Sequence, residues 1–475
     1  MHTAKYDKGF TRRHFMESAG KSAMGAGMLA PLWDVISRDG DISKAYPEEA
    51  MSIEAITDGK VKVGGMIDAS NIDAVRDLVD PGVYIQVAQQ GRVIHVTPTE
   101  TDIYKLNPKH YIDATMKNRG KGGLDSKGNV VLKGTDKPWI GGNPFPDAKN
   151  AHEVLAGHTV SWGRHDSLLF PVWERDKAPD GTTLYRYEFF WIEDYPVGRT
   201  TLEPKPYIPG KEDVMRHNAV LFTSPQDVRG SSFLNIWPYD QSKFPDFFGY
   251  LPAFKRVRRF PTNQRFEPLL PGSTFFLTDA WMTGDPYLTW GNFKLVGKIP
   301  WLGGASNCWS GSKDNWIHDR MGGESGDKYF ASSFELIPEC YVVDLEPIAY
   351  PRAPYSKKRI WFDARTMTPI TMVSFDRRGE VWKQWEAGFD YYDKRGVGHD
   401  PSSGIKWTMG DCGAKQHKDD VIWAWNYVHS HDLQSDYMSL LQHVPEITGG
   451  FKIRLNDPDL YENYCTMSAI RRMGT

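Results

Sequence analysis

VRGSSFLNIWPYD (228–240), FFGYLPAFKRVRRFP (247–261), GSTFFLTDAWMTGDP (272–286) and YLTWGNFKLVGKIP (287–300) form the stretch that decides how this chain reads. Aromatic, β-branched and threonine residues crowd each segment, and Gly, Pro, Asp and Asn bound them, which is the pattern of strands joined by turns. Four antiparallel strands of one sheet are the economical expectation. In the second segment Phe248 and Tyr250 fall on one face and Phe247, Gly249 and Leu251 on the other, because side chains alternate across a strand. The chain then turns basic at Lys255, Arg256, Arg258 and Arg259.

The β pattern resumes C-terminally in FELIPECYVVDLEP (334–347) and in a meander over 357–392 with turns at 363–368 and 376–379. Beyond residue 400 the spacing predicts a strand over 421–429, a helix over 433–443 and a last helix near Leu460. The N-terminal third is mixed. Asn71 caps a helix carrying Ile72, Val75 and Leu78, which Asp80-Pro81-Gly82 ends. Residues 92–104 and 183–195 read as strands, and 107–118 and 141–158 contain short helices. This divides the chain into a signal segment (1–45), an N-terminal accessory region (46–200), a β core (201–400) and a C-terminal strand with helices (401–475).

With 57 Lys and Arg against 60 Asp and Glu the chain has no polyelectrolyte character, so nucleic acid is not an expected partner. It has no uninterrupted apolar run long enough to span a membrane. Arg12-Arg13, followed by Phe15 and a mildly apolar Gly/Ala/Met stretch, resembles a twin-arginine export signal, with cleavage expected after Ala45 and a periplasmic product. Cys308, Cys340, Cys412 and Cys465 are widely spaced and form no C-x-x-C pair. Their even number permits disulfides, whereas folding before export in a reducing cytosol, which the signal resemblance implies, argues against them.

Motifs for catalysis are missing: H-E-x-x-H, G-x-S-x-G, a phosphate-binding P-loop and a dinucleotide fingerprint are all absent. His429 and His431 would share a strand face, and with His417 they are the weak candidates for a metal, but no third ligand stands at a telling distance. Surface histidines at a strand end are the plainer reading. Asp279, Asp285 and Glu335 could serve as acid and base, yet carboxylates near turns are usually caps or solvated charge. The basic cluster Lys255, Arg256, Arg258 and Arg259, with Arg229, could grip an anionic headgroup or an acidic partner. Equally, its arginines could pair with acids of the sheet such as Asp279 or Glu386.

GGNPFPDAKNAHEVL (141–155), VRGSSFLNI (228–236), GYLPAFKRVRR (249–259), FFLTDAWMTGDPYLTWGNFKLVGK (275–298) and KKRIWFDARTMTPITMVSFDRRGEVWKQWEA (357–387) resemble the DUF1329 family, exported bacterial proteins similar in fold to LolA/LolB-type lipoprotein carriers. The resemblance implies a mainly β (α+β) fold: an antiparallel, strongly curved sheet forming an incomplete β-barrel, with covering helices and an N-terminal accessory layer. It also implies a carrier for a lipid or other hydrophobic molecule, serving an RND-type exporter or outer-membrane protein, with transient membrane contact and no cofactor. Phe233, Trp237, Tyr250, Phe276, Leu295, Phe362 and Trp385, each the bulky apolar member at its place in a segment, are then the expected cavity lining. The alternative is a twin-arginine-exported enzyme that acquires a cofactor or metal in the cytosol.

Overall fold

The computed structural model describes residues 31–261, 265–281, 285–304, 318–392 and 422–474; Arg12-Arg13, His417, Cys308 and Cys412 lie outside them. Its centre is a large, mostly antiparallel sheet that does not close. In chain order the principal strands are β1 (Ile94–Thr97), β2 (Ser167–Lys177), β3 (Thr183–Asp194), β4 (Val214–Ser224), β5 (Ser232–Pro238), β6 (Asp246–Leu251) and β7 (Arg256–Phe260). They continue as β8 (Gly291–Gly304), β9 (Ser332–Glu346), β10 (Tyr355–Asp363), β11 (Pro369–Asp376), β12 (Val381–Tyr392), β13 (Ile422–Asp432) and β14 (Met438–His443). The spatial path runs β1-β9-β10-β11-β12-β13-β14-β2-β3-β4-β5-β6-β7, and β8 pairs with β9 off this path. The β1–β9 ladder is parallel, so the sheet is mixed.

Both faces of the sheet are covered, so several strands are buried at nearly every position, polar residues included. In β3, Phe189 faces the main core and Phe190 and Ile192 face a second one. That second core is closed by helices α5 (Leu460–Tyr464) and α6 (Met467–Met473) through Leu460 and Ile470. A third cluster joins Ile72, Val75, Val83 and Val87 of the N-terminal region to Leu302, Phe334 and Leu336 of β8 and β9. Helix α1 (Leu32–Asp39) also enters the main core, with Trp33, Val35, Ile36, Ile42 and Ala45 buried there. The junction after Ala45 thus lies in a packed segment. Strands β2 and β3, within residues 46–200, belong to the same sheet as the rest.

Several local expectations are corrected. Residues 247–261 make two strands, β6 and β7, around a 3-10 turn at Pro252–Phe254. Residues 272–281 make none: they form an irregular strap across the sheet face, held by sideways bonds from Thr274 and Asp279. Asp80-Pro81 starts a helix instead of ending one. In α2 (Pro81–Gln90) the Asp80 side chain accepts from the Gly82 and Val83 amides, and Pro81 sits where no amide is needed. The preceding Ile72–Leu78 segment is a kinked 3-10 turn. Residues 433–443 are not helical: Asp432 caps a turn through the Gln434 and Ser435 amides, and β14 follows. The helices over 107–118 and 141–158 are found as α3 (Lys109–Asn118) and α4 (Ala151–Ser161).

Candidate functional site: an aromatic cavity under a strap

Between the sheet and the strap lies an apolar cavity of about 610 Å³, its open mouth included. The sheet contributes Phe189 and Trp191 of β3, Leu441 of β14, Val428 and Trp425 of β13, Trp385, Ala387 and Phe389 of β12, and Pro369 of β11. The strap contributes Phe275, Ala280 and Trp281, and Trp162 closes the wall from the end of α4. Alternation along β3 and β12 places their lining residues on one face. In β13 alternation alone would put Trp425 and Val428 on opposite faces. A register shift between Gly388/Tyr427 and Phe389/Trp425 removes the conflict, because the extra residue of a bulge re-aims the next side chain. Gly388 makes that close approach feasible, since a Cβ there would run into the Tyr427 ring.

The strap is fastened at several points. Tyr187 donates to the Pro271 carbonyl at 2.9 Å, the Thr274 amide to Ser439 Oγ at 2.9 Å, and Thr274 Oγ1 to the Ser430 carbonyl at 2.7 Å. Asp279 accepts from the Tyr355 hydroxyl at 2.8 Å and lies 3.6 Å from Lys358 Nζ and 3.5 Å from Lys383 Nζ. Burial pushes the Lys383 ammonium down to about 8 against the opposing pull of Asp279. Trp281 adopts a φ of 54°, an uncommon backbone state for a bulky residue, with its ring 5.1 Å from Trp191 and 5.2 Å from Trp237. Such a residue persists only where its surroundings over-determine it.

A second, more polar chamber of about 330 Å³, its open mouth included, shares Trp162, Trp191 and Trp425 with the first. Its remaining walls include His165, Phe170 and Glu193. Glu193 is buried and accepts from Trp281 Nε1 at 2.6 Å, Trp191 Nε1 at 3.1 Å and the Tyr195 hydroxyl. Burial, with Glu193 beside it, pushes the Tyr195 phenol well up, so it remains a donor.

Of the expected lining residues, Trp385 is in the cavity wall. Trp237 packs behind it, stacked on the Arg216 guanidinium at 3.8 Å and edge-on to Trp281. Phe276 lies on the strap between the Tyr355 and Trp382 rings. Phe233 sits in a ring cluster with Phe222, Phe247 and Phe260, and Phe362 packs against His158. Leu295 is half-buried on β8 opposite Val343. Tyr250 is buried on the other face, against Gly474. The lining residues that sequence reasoning missed, Phe189, Trp191 and Trp425 among them, lie in strands distant in the sequence that become neighbours only through the β14–β2 ladder.

The basic cluster is exposed on β7, the terminal strand of the sheet path. Arg259 pairs with Asp246 on the neighbouring strand, and Arg258 lies over the Phe254 ring at 4.1 Å. Arg229 and Lys255 are exposed in turns, and Arg256 is exposed at the start of β7. Neither Asp279 nor Glu386 is available to this cluster. Asp279, on the strap, is held by Lys358 and Lys383 of the sheet, and Glu386 is paired with Arg92 at 2.6 Å, both side chains buried.

His429 and His431 are likewise not on the surface. His429 Nε2 accepts from the Phe330 amide at 3.0 Å, and His431 bridges Asp436 at 2.7 Å and Gln86 at 3.0 Å. Burial next to Arg92 pushes the His429 imidazole down to about 4, and burial pushes His431 down as well. Burial would raise Glu386, but Arg92 and His429 outweigh it and hold the carboxyl below its ordinary range. Among the described residues no group of three or more His, Cys, Asp or Glu is arranged to hold a metal. Asp285 is buried against Arg265, and Glu335 lies 2.8 Å from Arg365. Both are committed to interior ion pairs. Cys340 and Cys465 are buried free thiols that burial pushes well up. No helix among the described residues is long and apolar enough to cross a membrane.

No curated protein matches this chain. Among solved structures it is similar to a DUF1329 family protein from Desulfovibrio piger, at 13% identity and a TM-score of 0.41, covering 67% of this chain and 95% of that one. It is also similar to a LolA superfamily protein from Nitrosomonas europaea, at 15% identity and a TM-score of 0.35, covering 66% and 97%. The sequence profile of DUF1329, described as a protein of unknown function, matches residues 66–471, nearly the whole of the described sheet and its covering elements. The chain therefore belongs to the DUF1329 family.

Proposed function

We propose that this protein is a periplasmic carrier that holds one hydrophobic molecule in the aromatic cavity and passes it on without chemistry, in the service of an RND-type exporter or outer-membrane system. The observation that carries the reading is the cavity itself. Among the described residues its walls hold no charged side chain and are made almost wholly of aromatic and aliphatic groups, the lining expected of a site for an apolar ligand. Burial alone supplies the affinity: about 0.8 kcal/mol per methylene, or roughly 8 kcal/mol for ten of them before ordering costs. Affinity of this kind is hard to switch by charge, so release needs the wall to move, and the strap, unlike most of the wall, is not part of the sheet. The exposed arginines of β7 would meet an anionic headgroup or partner surface. The periplasmic location rests on Arg12-Arg13.

The test uses the apolar fluorophore N-phenyl-1-naphthylamine with protein freed of lipid under native conditions. Saturable uptake at one probe per chain, reversed by a long-chain lipid, is the expected result. A native protein that takes up no probe would overturn the reading.

A further inference from the structure

The two chambers differ in one respect that bears on the ligand. Among the described residues lining them, Glu193 is the only charged side chain; neither chamber holds a Lys or Arg. Around Glu193 the polar chamber presents the rings of Trp162, Phe170, Trp191 and Trp425. Aromatic faces carry negative potential, and they attract cations as a carboxylate does. Arg216, the cation packed nearby, lines neither chamber, because its guanidinium is sandwiched between Trp237 at 3.8 Å and Trp281 at 4.0 Å. The donors from Trp191, Trp281 and Tyr195 fix the carboxylate in place. They leave about one of its roughly four acceptor positions unused. Trp162, Trp191 and Trp425 line this site and the uncharged chamber alike, so the two lie side by side.

Resting on the carrier reading, we propose that the ligand is a single-chain amphiphile with a cationic head, an amine or quaternary ammonium. The head seats against Glu193 and the aromatic faces, and the chain lies in the apolar cavity. A fatty carboxylate of the same length would bring its charge against Glu193 and the ring faces, and is selected against.

Three ligands of equal chain length test this at neutral pH and below micelle-forming concentrations: dodecyltrimethylammonium, dodecan-1-ol and dodecanoate, each titrated calorimetrically into the lipid-free native chain. The ammonium should bind about tenfold more tightly than the alcohol, as a desolvated cation–π contact implies, and dodecanoate should bind most weakly. Glu193→Gln should shrink the difference between ammonium and carboxylate. The wild-type ranking stands as a test even if that variant does not fold. Equal affinities, or a preference for dodecanoate, would overturn this inference and leave the carrier reading in place. Binding of none of the three would overturn both.

Discussion

Trp281 donates its indole N–H to Glu193 Oε1 at 2.6 Å, so the end of the strap is tied to the sheet through a residue that also lines the polar chamber. One contact therefore closes the wall of the apolar cavity and orients the charged residue of the neighbouring chamber. Trp281→Phe keeps most of the ring area and deletes the donor. The expected loss is about 1–3 kcal/mol, the range for leaving a buried polar partner short of a bond, and dissociation of a bound apolar probe should accelerate. Denaturant unfolding and stopped-flow release measure the two effects. Unchanged release kinetics would show that the strap is not the moving wall.

Arg92 and Glu386 form an ion pair with side-chain exposures of 0% and 2%, beneath α2. Removing one member strands a charge in the interior. Arg92→Ala should therefore destabilise by about 3–5 kcal/mol, read from urea denaturation, whatever its effect on ligand binding.

The exposed cluster on β7 should behave in the opposite way. Arg256→Ala combined with Arg258→Ala removes side chains that stand in solvent on the terminal strand, so each change should stay within about 0.5 kcal/mol. Charges on such an edge also discourage pairing with other chains. If the double variant keeps its melting temperature but transfers ligand to anionic vesicles more slowly, the cluster is a contact site. If it is stable, transfers normally and self-associates, the cluster is edge protection instead.

Asp176, buried next to Glu174, accepts from Ser439 Oγ at 2.5 Å, the same hydroxyl that receives the Thr274 amide of the strap. Burial pushes Asp176 up to about 7. Its native pKa lies above its unfolded value near 3.8, so between these values the native state binds the proton more firmly than the unfolded chain does. The stability it contributes is present at low pH and is lost as pH rises towards 7. Asp176→Asn lacks this titration. Its melting temperature relative to the native protein should therefore climb from pH 4 to pH 7.5, which a pH series of thermal melts records. A flat difference would contradict the assignment.

The meander over 357–392 was legible because its alternation and its turns are local: β10, β11 and β12 follow one another in sequence and in space. The strap was not. FFLTDAW has strand composition, but Thr274, Asp279 and Trp281 bond to Ser439, Tyr355 and Glu193, partners that no local pattern reveals. Asp80-Pro81 could have been read correctly, since Asp before Pro is also a helix start. The cavity was the hardest part. Trp385 has the bulk expected of a lining residue, whereas the facing of Trp425 depends on a bulge, and that of Trp191 on a ladder joining residue 172 to residue 443.

Four of the tryptophans in the apolar wall, Trp191, Trp281, Trp385 and Trp425, would flank a ligand held in that chamber. A heavy-atom quencher on the chain would therefore report occupancy directly. Titration of lipid-free protein with 12-bromododecan-1-ol is predicted to quench tryptophan fluorescence saturably at one equivalent, and Ala387→Trp, which fills the chamber, should abolish the saturable phase. Quenching that rises linearly without saturation, or that is the same in the filled variant, would contradict the claim that this cavity is a binding site.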